Sequence, residues 1–323
     1  MKAVVLDAAR SGADAGGRYR LDDVPEPVPG PGEVAVRVAY AGVQWGDVLV
    51  RDGHIPLARP FVPGFEAAGQ IVSVGEGVAR ERVGEEVVAL VYGGACAEVV
   101  VAPDALALGI GGAPLRDAAG LGWAGPTAYD LVGQVGRVRE GDRVLIHAAA
   151  GGVGTLAAQL ARAAGAAEVV GVAGSPERAA YAGDFGFDRV VLRDAFPEVF
   201  GKEGFDIVLD PVGGATRTAN VALLAPHGRL AVYGNLAGHE PVEVSADELL
   251  MRGLSVLAYN SALLSRTHPA RLAASARHVL GLLADGRIRV GLGDEPGLDG
   301  AGGAVSRLAA GAGAPGRTLL RVG

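Results

Sequence analysis

The segment RVLIHAAAGGVGTLAAQLARAAGAAEVVGVAGS, running from Arg143 to Ser175, carries the residues best suited to chemistry. An apolar strand ends near Ala148, a tight turn holds Gly151, Gly152, Val153 and Gly154, and a helix opens at once. Lacking side chains, such a turn can bring its backbone N–H groups against a pyrophosphate, whose charge the helix N-terminus also favours. A glycine triplet alone can equally mark a close helix-to-strand contact, so it is the complete strand, turn, helix, strand context that points to a dinucleotide. The second strand should end near Gly174, 20 residues after Gly154. A site for a free ribose usually places an acidic residue there. Gly174 and Ser175 stand in its place, and Arg178 follows. A guanidinium pairs with a 2′-phosphate that a carboxylate repels, so these residues point to NADP(H). Two alternatives stay open: Arg178 as a solvated charge on the first turn of a helix, and Glu177 as an acceptor for a ribose.

Those residues need a sheet to carry them. After Pro114 the spacing of LRDAAGLGWAGPTAYDLVGQ is helical, and strands follow at RVLIHA, EVVGVAG, DRVV, FDIVLD, GRLAVYG and GLSVLAY with helices among them. Apolar strands alternating with helices predict an α/β fold with a parallel sheet covered on both faces. From Met1 to about Pro103 the pattern is instead β. Val34, Val36, Val38 and Tyr40 alternate with Ala35, Arg37 and Ala39, further strands follow at GQIVSV, EEVVAL and AEVVVA, and no helical periodicity interrupts them. That predicts an antiparallel domain. A helix is expected around PARLAASARHVLGLLADG, then a Gly-rich stretch to Gly313. The final strand, RTLLRV, has no sheet of its own and is expected to return to the first domain.

Composition narrows the function. The 323 residues carry 29 Lys plus Arg against 36 Asp plus Glu, a formal charge of −7, and half are hydrophobic. This excludes a disordered tail or a nucleic-acid arm, and the length suits two domains with a core each. Cys96 is the one cysteine, so neither an internal disulfide nor a cysteine-rich zinc site can form, and a reducing compartment, the cytoplasm, is expected. The apolar run at the N-terminus is too short for a signal-peptide core. The uncharged stretch from Val144 to Ala161 contains His147, Gln159 and the glycine cluster, and reads as strand, turn and helix rather than as a membrane span.

The segments PGPGEVAVRVAYAGVQWGDVLVRDG, PGFEAAGQIVSVGEGV, VGEEVVAL, GPTAYDLV, HAAAGGVG, DPVGG, AVYGN and GRTLLRV cover nearly the whole chain. Together they resemble the medium-chain dehydrogenase/reductase superfamily, specifically its zinc-free NADPH:quinone oxidoreductase group, which includes ζ-crystallin. The resemblance implies a GroES-like β domain, residues 1–122 with 259–323, into which a Rossmann NADP(H)-binding domain, residues 123–258, is inserted. It implies no catalytic metal, because the positions of the family's Cys and His ligands fall in VQWGD, which has no Cys, and at Phe65. Glu66 alone is a poor zinc site and reads as a structural turn residue. Carried over residue by residue, Gln44 matches an Asn beside the nicotinamide, Thr127 a cofactor-contacting Thr, and Asn235 the GN after the fifth strand. Arg317 matches a basic residue near the cofactor phosphates, and Arg193 replaces a Tyr near the adenosine phosphate. Two pocket tyrosines of the family fall at Leu49 and Ile55, which donate no proton. Trp45, Leu49, Ile55, Phe65, Tyr92 and Tyr259 are the candidate pocket walls, with core packing as the other reading of the aromatic ones. His54 is the nearest titratable group.

The implied activity is metal-free hydride transfer from NADPH to a small apolar electrophile, a quinone or an α,β-unsaturated carbonyl compound. Gln44 or backbone amides would stabilise the acceptor oxygen, and water or His54 would give the proton. Two competing readings remain. One is an enoyl reductase, since GVQWGDVLVRDGHIP also resembles polyketide enoylreductase domains. The other is a non-catalytic, crystallin-like NADPH-binding protein. A homodimer is expected, with neither nucleic acid nor membrane as a partner.

Overall fold

A computed structural model describes residues 1–7, 17–201, 203–238 and 240–323. In chain order the elements begin with β1 (Lys2–Asp7), β2 (Arg18–Asp23), β3 (Glu33–Gly42), α1 (Trp45–Arg51), β4 (Glu66–Val74), β5 (Glu86–Leu90), β6 (Val99–Pro103), β7 (Ala107–Gly109) and α2 (Leu115–Leu121). Then come α3 (Ala124–Asp130), β8 (Arg143–His147), α4 (Gly152–Ala163), β9 (Glu168–Ala173), α5 (Pro176–Gly183), β10 (Arg189–Leu192), β11 (Phe205–Asp210), α6 (Gly214–Ala222), β12 (Leu224–Val232), α7 (Ala246–Arg252), β13 (Ser255–Ala258) and α8 (Ser261–Thr267). The chain closes with α9 (Pro269–Ala284), α10 (Ala301–Ala309) and β14 (Leu319–Arg321). Two compact units result: Met1–Trp123 with His268–Gly323, and Ala124–Thr267.

The first unit is antiparallel. Its larger sheet runs β14-β3-β4-β5-β7, with β6 also paired to β3. The tail strand joins it through Leu320 opposite Ala41. Ala35 is buried along with Val34, Val36 and Val38. Three sequence expectations fail here. A seven-residue helix, α1, interrupts the strands. The helical stretch after Pro114 breaks between α2 and α3, because Gly122 takes φ +31 and ψ −125, outside helical space. The Gly-rich stretch contains α10, whose Ala301, Ala304 and Val305 form a buried stripe at helical spacing.

The second unit is a parallel sheet of order β10-β9-β8-β11-β12-β13. Val144, Leu145 and Ile146 of β8 and Ile207, Val208 and Leu209 of β11 have no exposed surface. Near-continuous apolar strands of this kind follow from helices on both faces. The unit extends to Thr267 rather than to the expected Ala258, since the Tyr259 N–H donates to Val232 O at 2.9 Å and its hydroxyl to Asp130 Oδ2 at 2.9 Å. No helix among the described residues is long and apolar enough to cross a membrane.

Candidate functional site

At the carboxyl end of β8 the chain turns through Ala148, at φ +53, and enters α4 with Gly151 as its N-cap. The Gly151 N–H is spent on Ala148 O at 2.8 Å. The N–H groups of Gly152, Val153 and Gly154 open the helix and have no acceptor within it. Gly154 has to be glycine, because a Cβ there would sit 2.8 Å from Ala149 O and closer still to Ala148 O, both backbone atoms. The turn thus lays the helix start on the strand end and directs a row of amides outward, the geometry that takes a phosphate. Thr127 is buried in α3, which packs on α4.

One strand over, β9 ends at Ala173, opposite Leu192 of β10. That register places Gly174 beside Arg193, whose Nη1 lies 4.0 Å from where a Gly174 Cβ would be. The Arg193 side chain is 70% exposed, with Asp194 at 3.7 Å. Ser175 caps α5 by accepting the Arg178 N–H at 3.3 Å, so its hydroxyl has a structural task as well. Gly174, Ser175, Arg178 and Arg193 therefore gather at one corner of the sheet, with no carboxylate at positions 174–176. At the ends of β11 and β12, Asn235 Oδ1 accepts from Arg217 at 3.1 Å.

The first unit gathers a second set. Gln44 starts α1, and its N–H donates to Asp47 Oδ2 at 2.9 Å. Asp47 Oδ1 accepts the Gly64 N–H at 3.2 Å, which ties the Gln44 loop to the Gly64–Glu66 segment. Asp47 is buried, and burial raises its pKa to about 6 against the opposing pull of the two N–H groups. A Cβ on Gly46 would be 3.4 Å from the Phe65 ring, so the α1 turn rests on that ring. Trp123 donates its indole N–H to Phe65 O at 2.7 Å and its backbone N–H to Glu66 Oε2 at 2.6 Å. Tyr92 stands exposed, its ring centroid 5.8 Å from that of Trp123. Arg317 forms a buried ion pair with Glu66, and burial lowers its pKa to about 10. Trp45, Leu49 and Ile55 are half-buried and His54 is exposed. Tyr259 belongs to the second unit, where its hydroxyl donates to Asp130.

Residues 30–128 match the family described as alcohol dehydrogenase GroES-like domain, and residues 152–274 the one described as zinc-binding dehydrogenase. A quinone oxidoreductase from Pseudomonas syringae is 30% identical, with 99% of this chain and 100% of that one aligned at a TM-score of 0.85. The chain belongs to the medium-chain dehydrogenase/reductase superfamily. Another solved superfamily relative, a mycobacterial protein complexed with NADPH, is 30% identical over 99% of both chains at a TM-score of 0.86. A mycocerosic acid synthase-like polyketide synthase of Mycolicibacterium smegmatis is 34% identical over 274 residues; the chain spans 13% of its length.

A zinc ion, which one of the matched family descriptions implies, does not fit the side chains here. Gln44 and Phe65 supply neither thiolate nor imidazole, Glu66 is held by Arg317 and Trp123, and Cys96 is buried behind Gly64. Among the described residues no three His, Cys, Asp or Glu side chains converge. Sequence reasoning missed Asp47, Trp123 and Arg217. Asp47 had a readable signal, since an acidic residue three positions after a helix start can accept the N-cap N–H.

Proposed function

We propose that the protein is an NADPH-dependent, zinc-independent reductase that delivers hydride to a quinone or an α,β-unsaturated carbonyl compound. The observation that carries this is the glycine turn of β8 joined in one sheet to a corner that holds Arg178 and Arg193 and no carboxylate at positions 174–176. The amides of Gly152, Val153 and Gly154 bind the pyrophosphate, and the two guanidinium groups bind the 2′-phosphate. Bound NADPH supplies the hydride. Gln44, fixed by Asp47, offers its amide N–H to the acceptor oxygen as charge develops there. Trp45, Leu49, Ile55, Phe65 and Tyr92 give an apolar surface suited to a small planar electrophile. With no tyrosine at positions 49 and 55, the proton comes from water, or from His54.

An enoyl reductase acting on 2-enoyl thioesters is the second reading, favoured by the similarity to part of a polyketide synthase. Steady-state kcat/KM over matched quinones, simple enones and 2-enoyl thioesters separates the two. The first reading expects quinones or simple enones to lead; thioesters leading by tenfold or more would transfer the assignment. The partner reading remains a homodimer. β13 is a sheet edge without charge, and Leu250 and Met251 of α7 are 77% and 82% exposed. Sedimentation of a monomer at micromolar concentration would oppose it.

A further inference from the structure

Arg217 on α6 binds three groups at once. Its Nε donates to Asp210 Oδ2 at 2.8 Å, Nη1 to Asn235 Oδ1 at 3.1 Å and Nη2 to Gly234 O at 2.8 Å. Asp210 closes β11 and is fully buried; its Oδ1 accepts the N–H groups of Val212 at 2.6 Å and Gly213 at 3.0 Å. The guanidinium thus joins the loop after β11 to the loop after its neighbour β12. Both loops leave the carboxyl edge of the sheet, the edge at which the Gly151–Gly154 turn leaves β8.

A guanidinium has five donors and no acceptor. The Asn235 atom facing it is therefore the carbonyl oxygen, because a flipped amide would set N–H against N–H. The NH2 group is turned away at an exposed position, and no group among the described residues accepts from it. Gly213 leaves room for the arrangement. It sits at φ +81, and a Cβ there would come 3.1 Å from Asn235 Oδ1 and 3.4 Å from Arg217 Nη2.

We infer that Arg217 is a positioning residue that holds Asn235 as a hydrogen-bond donor to an acceptor oxygen of the bound dinucleotide. The inference rests on the NADP(H) reading. It gives Arg217 and Asp210 a purpose beyond packing: they decide which face of one amide meets the cofactor.

NADPH fluorescence titration of five variants, each with its melting temperature in the absence of cofactor, tests this. Asn235→Asp keeps the oxygen that Arg217 binds but has no N–H to give. It should melt no lower than wild type and bind NADPH about tenfold more weakly. Asn235→Ala should weaken binding by about fivefold, and Arg217→Gln by a similar factor. The double variant Arg217→Gln/Asn235→Ala should be no weaker than Asn235→Ala alone, and Arg217→Lys, which still donates, should recover most of the affinity. Wild-type affinity in Asn235→Asp, or effects of the two single changes that multiply, would overturn the inference. Failure of the wild-type protein to bind NADPH would remove the reading beneath it, a result separate from either.

Discussion

Gly154→Ala tests the phosphate-binding turn in the most direct structural way. The added methyl group would lie 2.8 Å from Ala149 O, and nearer to Ala148 O, where a comfortable contact is about 3.5 Å. Both obstacles are backbone, so no rotamer change relieves the clash, and the start of α4 must move off the strand end by most of an ångström. Overpacking of this kind costs roughly 1–3 kcal/mol, and the helix preference of Ala over Gly offsets up to about 1 kcal/mol. The net loss, about 1–2 kcal/mol, should lower Tm by a few degrees. The displaced amides are the ones assigned to the pyrophosphate. Losing one charge-assisted hydrogen bond of about 1.5 kcal/mol should weaken NADPH binding by about tenfold or more. Gly183, on α5 with open space around it, is the control, and Gly183→Ala should leave both readouts unchanged or slightly improve Tm. Thermal melts and NADPH titrations of the two variants decide the matter. Wild-type Tm and affinity in Gly154→Ala would refute the reasoning.

Arg178→Ala and Arg193→Ala should each weaken NADPH by about tenfold while leaving NADH nearly unchanged; equal losses for both cofactors in the same titration would contradict a 2′-phosphate site. Asp47, whose folded pKa of about 6 lies above the ordinary carboxylate value, has its ionised form disfavoured by burial. Its contribution to stability is greatest below about pH 4 and falls as the pH rises through 6, so the stability of Asp47→Asn relative to wild type should rise by about 2 kcal/mol between pH 4 and pH 7 in urea unfolding. A pH-independent difference would count against a buried, ionising Asp47. His54→Ala should keep turnover within a few-fold, because His54 lies exposed on its loop; a hundredfold fall with unchanged NADPH affinity would make it the general acid. Exhaustive chelation should leave turnover intact, and activity lost to chelation and restored by zinc would refute the metal-free reading.

The parallel sheet and the glycine turn were legible because the determinants are local. Uninterrupted apolar runs such as VLI at 144–146 and glycines at fixed spacing need no knowledge of distant residues. The α10 helix was not legible, because its glycines argue against a helix and its stability comes from packing. Gly302 is bare so that Tyr19 of β2 can lie against it, a Cβ there meeting Tyr19 Cβ at 3.0 Å. The break at Gly122 is likewise set from 56 residues away, by the Glu66 carboxylate that receives the Trp123 N–H. In the candidate site, motif positions pointed to single residues, whereas Asp47, Trp123 and Arg217 went unread because their roles exist only in pairings. Neither the Glu66–Arg317 ion pair nor the Arg217 brace on Asn235 follows from spacing, since each joins segments that only the fold brings together.

The function proposed for this chain is transfer of hydride from NADPH to an electron-poor carbon without a metal. Single-turnover stopped-flow measurement, with one equivalent of NADPH bound to chelator-treated protein and mixed against apolar quinones and enones, tests it most directly. The dihydronicotinamide absorbance should be lost in one exponential phase whose rate saturates with acceptor concentration, and at equal sub-saturating cofactor concentrations NADH should give the smaller amplitude. Tightly bound NADPH that no acceptor oxidises, with or without added zinc, would contradict it and leave a cofactor-binding protein without catalysis.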